Sequence, residues 1–377
     1  MGFETDTNES DLPRMQRVGV VHTVALDAVR GGAALFVFVS HIIQIIWLPV
    51  TGLGSLAHIA NSFASETAVV VFFVLSGYLI CLSICGNIQR NGEFVVWDYL
   101  RSRALRIYPP FLGAVVVSLA VFVLLEQLGL PGVRTPLRGA SDLYAARDSI
   151  SIGVSEVFRS LTLRGGLLEI NGPLWSLYIE VRLYVAAGIA AVASQYSPFR
   201  GLRVPAALAG FLLASVLLGN GQPGYTLYGA WWLLGGAFFL WRRFGHAAMA
   251  GLAALLLVVA IFAFSTSPAL VELYRLTIVA VLSVLMFARW ISAPRFAIGL
   301  GSFSYSLYLV HFPLLVAGYS ALIATWDGES PSIAARAGLS AGCFVSILFA
   351  SAAIGSVLEN SARMRGLFRI PSPRHSA

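Results

Sequence analysis

Two ionisable residues lie at a helical spacing in the first apolar stretch of the chain, Arg30 and His41. Eleven positions at about 100° each complete three turns with about 20° in excess, so both side chains share one helix face, roughly 16 Å apart. A neutral imidazole can remove a proton near pH 7, and a guanidinium can stabilise a developing negative charge. Asp27, one turn earlier, is placed to brace Arg30. The alternative for His41 is a structural hydrogen bond to a neighbouring helix.

Arginines also cluster just before a Tyr-Pro-Pro sequence, at Arg101, Arg103 and Arg106. Arg103 and Arg106 are three residues apart and therefore project from the same side near the start of a helix. Guanidinium groups bind phosphate oxygens with two parallel hydrogen bonds, which makes the pair a candidate anion site. The competing interpretation is a simple cytoplasmic anchor for a membrane helix.

A polar stripe follows at spacing four, formed by Ser176, Glu180 and Tyr184. A carboxylate with apolar and aromatic neighbours must be either paired or protonated, because an isolated charge there is costly. A second histidine, His311, ends a run rich in Ser and Tyr that begins at Gly301. Both sets also fit ordinary packing between membrane helices, where small and hydroxylated residues are common.

The elements that must position these residues are membrane helices. Apolar residues make up 58% of the 377 residues and charged residues only 11%, against roughly 25% charged in soluble domains. Runs long enough to cross a bilayer of about 30 Å recur along the chain. We therefore predict an all-α polytopic protein with about ten helices in one bundle. The predicted ranges are 30–50, 66–85, 105–126, 172–194, 203–219, 225–241, 246–265, 269–289, 297–323 and 333–358.

The distribution of positive charge predicts the orientation. All 25 cationic residues are Arg, and the short loops predicted to lie outside contain none, which places both termini in the cytoplasm. The domains are then a tail at 1–25, a membrane domain at 26–360 and a basic tail at 361–377. The loop at 127–171 is either an external cap over a substrate entrance or a tolerated insertion.

Composition also argues against a nucleic-acid-binding protein and against a protein built on disulfides or a metal site. The net charge of +7 follows the membrane topology and does not form a basic stripe, so we expect no nucleic acid as partner. Cys81, Cys85 and Cys343 all lie in apolar ranges, where a small buried residue is the usual interpretation. We therefore expect neither a disulfide framework nor a metal site.

The motifs taken together resemble the membrane acyltransferase-3 family. They occur in the family's order and extend from residue 26 to about residue 359. The motifs are 26–34 with Ser40 and His41, 72–80 with Ser76, Arg103-x-x-Arg106, Trp175-Ser176-Leu177 with Glu180 and Tyr184, and Tyr305-Ser306-Leu307-Tyr308 with His311.

The resemblance implies an enzyme that moves an acyl group, often acetyl or succinyl, from cytoplasmic acyl-coenzyme A to a hydroxyl. The coenzyme is a co-substrate, acetyl-coenzyme A above all, and no cofactor is held permanently. The acceptor is a carbohydrate, a glycolipid or a macrolide, and the lipid bilayer of a bacterial inner membrane surrounds the protein. His41, Arg30 and Glu180 are the implied catalytic residues, and Arg103 and Arg106 bind the donor. The implied supporting residues are Asp27, Ser76, Trp175, Ser176, Tyr184, Tyr305 and His311.

The sequence departs from the family pattern at Ala28, where a glycine is common, and at Val181, where a second acidic residue is common. Two other functions remain open. A secondary transporter would also carry intramembrane His, Arg and Glu, but it would show inverted repeats and broken spans. A glycerolipid acyltransferase is suggested by His22 and Asp27, which are separated by four residues.

Overall fold

The computed structural model describes residues 14–52, 54–133, 150–197, 202–219, 223–245, 247–265, 268–287, 295–326 and 330–359. Within those ranges every regular element is helical and no strand occurs, which confirms the predicted all-α class. The first helix, α1, continues through a five-residue π-helix, Ile43–Trp47, into the short α2. The helices are α1 Arg14–Ile42, α2 Leu48–Thr51, α3 Leu56–Asn91, α4 Val96–Gln127, α5 Val154–Leu161, α6 Leu174–Gln195, α7 Arg203–Gly219, α8 Pro223–Phe244, α9 Ala247–Phe264, α10 Ala269–Phe287, α11 Arg295–Gly301, α12 Ser304–Ala324 and α13 Ile333–Leu358.

Among the described residues, six helical stretches are long and apolar enough to cross a membrane, since about 20 apolar residues are required. Helix α7 and the segment Ala253–Ala263 are apolar but shorter. An integral membrane protein is therefore supported, while the count of ten spans and the cytoplasmic position of both termini stay predictions. The six stretches are Leu26–Thr51, Leu56–Asn91, Val96–Gln127, Leu174–Gln195, Ser304–Ala324 and Ile333–Leu358.

The ninth predicted range, 297–323, is two helices and not one. A turn at Ser302 and Phe303 separates α11 from α12. The carbonyl of Gly301 accepts hydrogen bonds from the Arg30 side chain and from the Ser304 hydroxyl. Since this carbonyl is held by side chains, the local helix gives way to a turn that faces α1.

Helix boundaries differ from the predictions at two other places. Helix α1 begins at Arg14, so the predicted tail at 1–25 is helical from that residue onward. Helix α4 begins at Val96 and contains Pro109 and Pro110 in its interior, so the arginine cluster lies within the helix and not at its start. The predicted loop at 127–171 contains α5, while its residues 134–149, the first 13 residues of the chain and the tail at 361–377 lie outside the described part.

Helices α3 and α8 pack closely against each other at two glycines. A Cβ added at Gly77 would lie 1.9 Å from the Trp232 carbonyl oxygen, and one added at Gly235 would lie 1.9 Å from that of Val74. Neither position can therefore carry a side chain without moving the backbones apart. Small residues allow this kind of close approach between membrane helices, and Ser76 and Trp232 are adjacent to it.

Candidate active site

The two intramembrane histidines contact each other although 270 positions separate them. His311 Nε2 lies 2.9 Å from His41 Nδ1, and His311 Nδ1 lies 2.8 Å from the Leu307 carbonyl oxygen. His311 is fully buried, whereas His41 is half-buried. Phe38 packs edge-on against the His311 ring and Phe312 against the His41 ring, so the pair lies in an apolar setting on α1 and α12.

The hydrogen bonds determine which nitrogen carries each proton when both rings are neutral. A carbonyl oxygen can only accept, so His311 Nδ1–H donates to Leu307 and His311 Nε2 becomes an acceptor. His41 must then donate through its Nδ1–H, which leaves the basic lone pair on His41 Nε2. His311 therefore fixes the ring orientation and the tautomer of His41 when both rings are neutral.

Arg30 makes contacts with its three guanidinium nitrogens. Nε donates to the Ser304 hydroxyl at 2.9 Å, Nη2 donates to the Gly301 carbonyl at 2.9 Å, and Nη1 lies 3.0 Å from a carboxylate oxygen of Asp27. The predicted brace between Asp27 and Arg30 is present. These contacts attach α1 to the turn that begins α12, one end of the helix that carries His311.

A cavity of about 520 Å³ lies between α3, α4, α6 and α12. Its cationic lining residues are Arg30, Arg90, Arg103 and Arg106. Arg103 donates to the Ser83 hydroxyl at 3.2 Å and lies over the ring of Tyr184. The cavity therefore offers a concentration of positive charge of the kind that binds phosphate groups.

Glu180 lies in the wall of this cavity and accepts hydrogen bonds from two hydroxyls. Ser76 Oγ lies 2.8 Å and Tyr184 Oη 2.5 Å from the same carboxylate oxygen of Glu180. The indole of Trp232 donates to Ser76 at 3.2 Å. The predicted face shared by Glu180 and Tyr184 is present, and hydroxyl groups rather than a cation are the partners that the structure shows for the carboxylate.

Aromatic residues line the other end of the cavity. The rings of Phe72 and Tyr308 meet edge-to-face at 5.3 Å, and Tyr308 Oη lies 2.7 Å from Ser176 Oγ. The Tyr308 ring centre is 6.1 Å from that of His311. Tyr308 therefore lies between the cavity and the imidazole pair, and His41 is not among the lining residues.

Tyr305 contributes to the cavity wall, but its hydroxyl is buried and has no hydrogen-bond partner among the described residues. A buried hydroxyl without a partner costs stability. Trp175, by contrast, packs on Phe73 and Tyr228 and does not line the cavity.

The structure also brings residues to the site that the sequence analysis had not assigned to it. Phe72 lies within the motif at 72–80 but has no ionisable or hydrogen-bonding group. Ser83 and Arg90 lie on α3 after that motif, and all three residues line the cavity. Arg90 lies 14 residues after Ser76, which is close to four helical turns at 3.6 residues per turn. That spacing is the signal that could have placed Arg90 on the cavity face.

An imidazole pair close to an arginine-lined cavity, both within apolar helices, is the arrangement expected of a membrane-embedded group-transfer enzyme. Comparison with known families agrees with that class. The acyltransferase-3 family model, described as an acyltransferase domain, matches residues 23–354. The chain belongs to this family, which favours acyl transfer over transport.

Two relatives align with parts of the chain. Protein 2 in the picA locus of Rhizobium radiobacter is 30% identical over 166 residues, which are 42% of this chain and 76% of that protein. An O-acetyl transferase of Shigella phage Sf6 is 28% identical over 170 residues, which are 44% of each chain. No solved structure is significantly similar to the chain.

Proposed function

We propose that this protein is a membrane O-acyltransferase that moves a short acyl group from acyl-coenzyme A to a hydroxyl of a carbohydrate, glycolipid or macrolide. The contact between His41 Nδ1 and His311 Nε2 at 2.9 Å carries the proposal, because it prepares a base for a hydroxyl proton. The name of the phage relative, an O-acetyl transferase, supports oxygen as the attacking atom and acetyl as the group transferred.

The arginine-lined cavity is the proposed donor site. Coenzyme A carries several phosphate charges, and Arg90, Arg103 and Arg106 supply guanidinium groups at one side of the cavity. Arginine is the residue best suited to bidentate phosphate recognition. At the inner end the rings of Phe72 and Tyr308 meet, so the proposed mechanism requires Tyr308 to turn aside and admit the acyl group to His41, which favours a short acyl chain over a long one.

The chemistry follows from the proton positions. His41 Nε2 takes the proton of the acceptor hydroxyl, whose oxygen attacks the thioester carbonyl carbon. The tetrahedral intermediate carries a negative oxygen, which the positive charge of the arginine-lined cavity stabilises. The carbon–sulfur bond then breaks, and the proton on His41 passes to the thiolate and gives free coenzyme A. During these steps His311 accepts the Nδ1–H of the charged His41 ring.

Arg30 has a positioning role in this account. Asp27, Ser304 and Gly301 all contact its guanidinium, so its contacts are made mainly with the protein. By attaching α1 to the start of α12, Arg30 fixes the position of His41 along the helix axis relative to His311. Its lining of the cavity adds positive charge near the donor.

The donor and the acceptor approach from different sides of the imidazole pair. The cavity lies on one side of Tyr308, and His41 lies beyond it. We place the arginine end at the cytoplasm, where acyl-coenzyme A is made, and the acceptor on the other side of a bacterial plasma membrane. The relatives come from a bacterium and a bacteriophage, which supports that location.

Release of free thiol from acetyl-coenzyme A tests the proposal directly. Detergent-purified wild type and His41→Ala are incubated with acetyl-coenzyme A and a pool of sugars, glycolipids and macrolides, and thiol and acetylated products are measured. Thiol release and product formation by the wild type alone are expected. If a folded His41→Ala protein forms product at the wild-type rate, His41 is not the base. If no acyl donor yields thiol with the wild type, the function itself is wrong.

A further inference from the structure

Arg336, near the start of α13, is an unusually buried cation. Its exposed fraction is 0%, and no carboxylate contacts it among the salt bridges of the described residues. Backbone carbonyls and hydroxyls hold it instead. Its Nη1 donates to the Ile46 carbonyl at 2.5 Å and to Tyr319 Oη at 3.1 Å, and Nε donates to the Pro331 carbonyl at 3.1 Å.

The carbonyl that Arg336 holds belongs to the π-helix at Ile43–Trp47. A π-helix contains one residue more per turn than the adjacent α-helix and is often found at functional sites. His41 lies two residues before this segment. Trp47, its last residue, donates from its indole to Ser340, one turn after Arg336. Helix α13 therefore holds the π-helix at two places.

Arg336 also contacts α12, the helix that carries His311. Besides the hydrogen bond to Tyr319 Oη, its guanidinium lies 5.7 Å from the Tyr319 ring centre. Tyr319 lies eight positions after His311 and is fully buried. One guanidinium thus joins the continuation of α1 to α12 on the far side of the imidazole pair.

Arg30 makes the corresponding connection on the near side. It joins α1 to the start of α12 through Ser304 and Gly301, eleven positions before His41, while Ile46 lies five positions after it. At 1.5 Å per residue along the helix, Arg30 lies about 16 Å from His41 on its N-terminal side, and Ile46 lies about 7 Å from His41 on its C-terminal side. The contact between His41 and His311 therefore lies between the contacts of Arg30 and those of Arg336, which we call the two arginine clamps.

We propose that Arg336 is a positioning residue that holds His41 at hydrogen-bonding distance from His311 through the π-helix. The inference rests on the proposed function for its effect on rate, but the position of His41 can be measured without it. Loss of the clamp lets α1 slide or rotate against α12. A displacement of about 1 Å at a reacting group is enough to lower the rate about 10²-fold.

The test compares two buried arginines. Arg336→Ala removes the clamp, and Arg275→Ala removes another buried guanidinium. The ion pairs and ring contact of Arg275 among the described residues are with Glu66 and Phe63 on α3 and with Glu272 on α10. Turnover, KM for acetyl-coenzyme A and thermal stability are measured for both. Ethylguanidinium is added to Arg336→Ala to refill the space. His41 is also labelled with diethyl pyrocarbonate and the rate is followed by mass spectrometry, which requires no acyl transfer.

We expect kcat of Arg336→Ala to fall about 10²-fold with KM for the donor unchanged, His41 to be labelled faster, and ethylguanidinium to restore part of the rate. Arg275→Ala loses stability but keeps kcat and the labelling rate.

The inference is overturned if His41 is labelled at the wild-type rate in Arg336→Ala, or if Arg275→Ala changes labelling equally. Should Arg336→Ala not fold, Arg336→Lys, which keeps the charge but loses the fork, is measured by the same labelling criterion. Failure of the wild type to transfer acyl groups would contradict the proposed function and leave the labelling result to decide the clamp.

Discussion

The imidazole pair and the arginine-lined cavity differ in burial and in charge although Tyr308 is the neighbour of both. His311 is fully buried and has Phe38 against its ring, and its two ring nitrogens both have fixed partners. The cavity is wide, about 520 Å³, and its arginines are partly exposed to it. In one region aromatic rings surround paired imidazoles, and the other region is open and positively charged.

This difference separates two tasks of an acyl transfer reaction. A base is effective when its orientation and tautomer are fixed before the substrate arrives. A binding site for a polyanion gains from several guanidinium groups that adapt to the phosphates. Changes in the imidazole pair should therefore alter kcat, and changes in the cavity should alter KM for the donor and its dependence on salt.

Among the substitutions that compare the two regions and leave His41 itself unchanged, His311→Leu should have the largest effect. Leucine fills part of the space, but it has no atom that accepts from His41 Nδ1 or donates to the Leu307 carbonyl. The proton on His41 is then no longer confined to Nδ1, and we expect kcat to fall about 10²-fold with KM for the donor unchanged. Steady-state kinetics of the folded variant measure both constants. A kcat equal to that of the wild type would mean that His311 is only a packing residue.

Arg106→Gln tests the other region and should have a smaller effect. Losing one charge-assisted hydrogen bond to phosphate costs about 1.5–3 kcal/mol, so KM for acetyl-coenzyme A is expected to rise about tenfold or more. High salt should reduce the difference from the wild type. Arg101→Gln is the matched control, since Arg101 lies on the same helix and does not line the cavity. Equal effects of both variants would assign the cluster to membrane anchoring.

Ser76→Ala should have the smallest effect. It removes the hydroxyl that bonds Glu180 and accepts from Trp232, while the Tyr184 hydroxyl still contacts the carboxylate. The loss of a hydrogen bond to a carboxylate costs about 1.5–3 kcal/mol, of which the remaining Tyr184 contact retains part, so a decrease of several-fold in kcat/KM is expected. Gly77→Ala, its neighbour, should instead prevent folding because of the close approach to Trp232. Wild-type kcat/KM in Ser76→Ala would exclude the Glu180 network from the reaction.

Periodicity predicted the parts of the site that lie within one helix. Arg30 and His41 both contact α12, as expected of residues on one face, and Glu180 and Tyr184 share a face of α6. The brace from Asp27 to Arg30 was also predicted from a spacing of one turn. These relations depend on helix geometry alone, which a single apolar stretch already specifies.

Relations between helices were not predictable in the same way. The contact of His41 with His311 depends on how α1 packs on α12, and the sequence does not state which helices are neighbours. The break at Ser302 results from contacts with Arg30 on a distant helix, so the ninth predicted range was too long. Arg336 was not assigned a role, although an arginine at the outer end of an apolar range is a signal in itself.

Donor binding and acyl transfer, measured on the same variants, show whether the imidazole pair and the arginine-lined cavity have separate roles. Binding of acetyl-coenzyme A and single-turnover acyl transfer are measured on the same preparations of wild type, His41→Ala and Arg106→Gln. We expect that His41→Ala binds the donor like the wild type and transfers no acyl group, while Arg106→Gln binds it weakly and transfers at a nearly normal rate once saturated. If His41→Ala loses donor binding, or if it still transfers acyl groups at the wild-type rate, His41 is not a base that acts apart from the donor cavity.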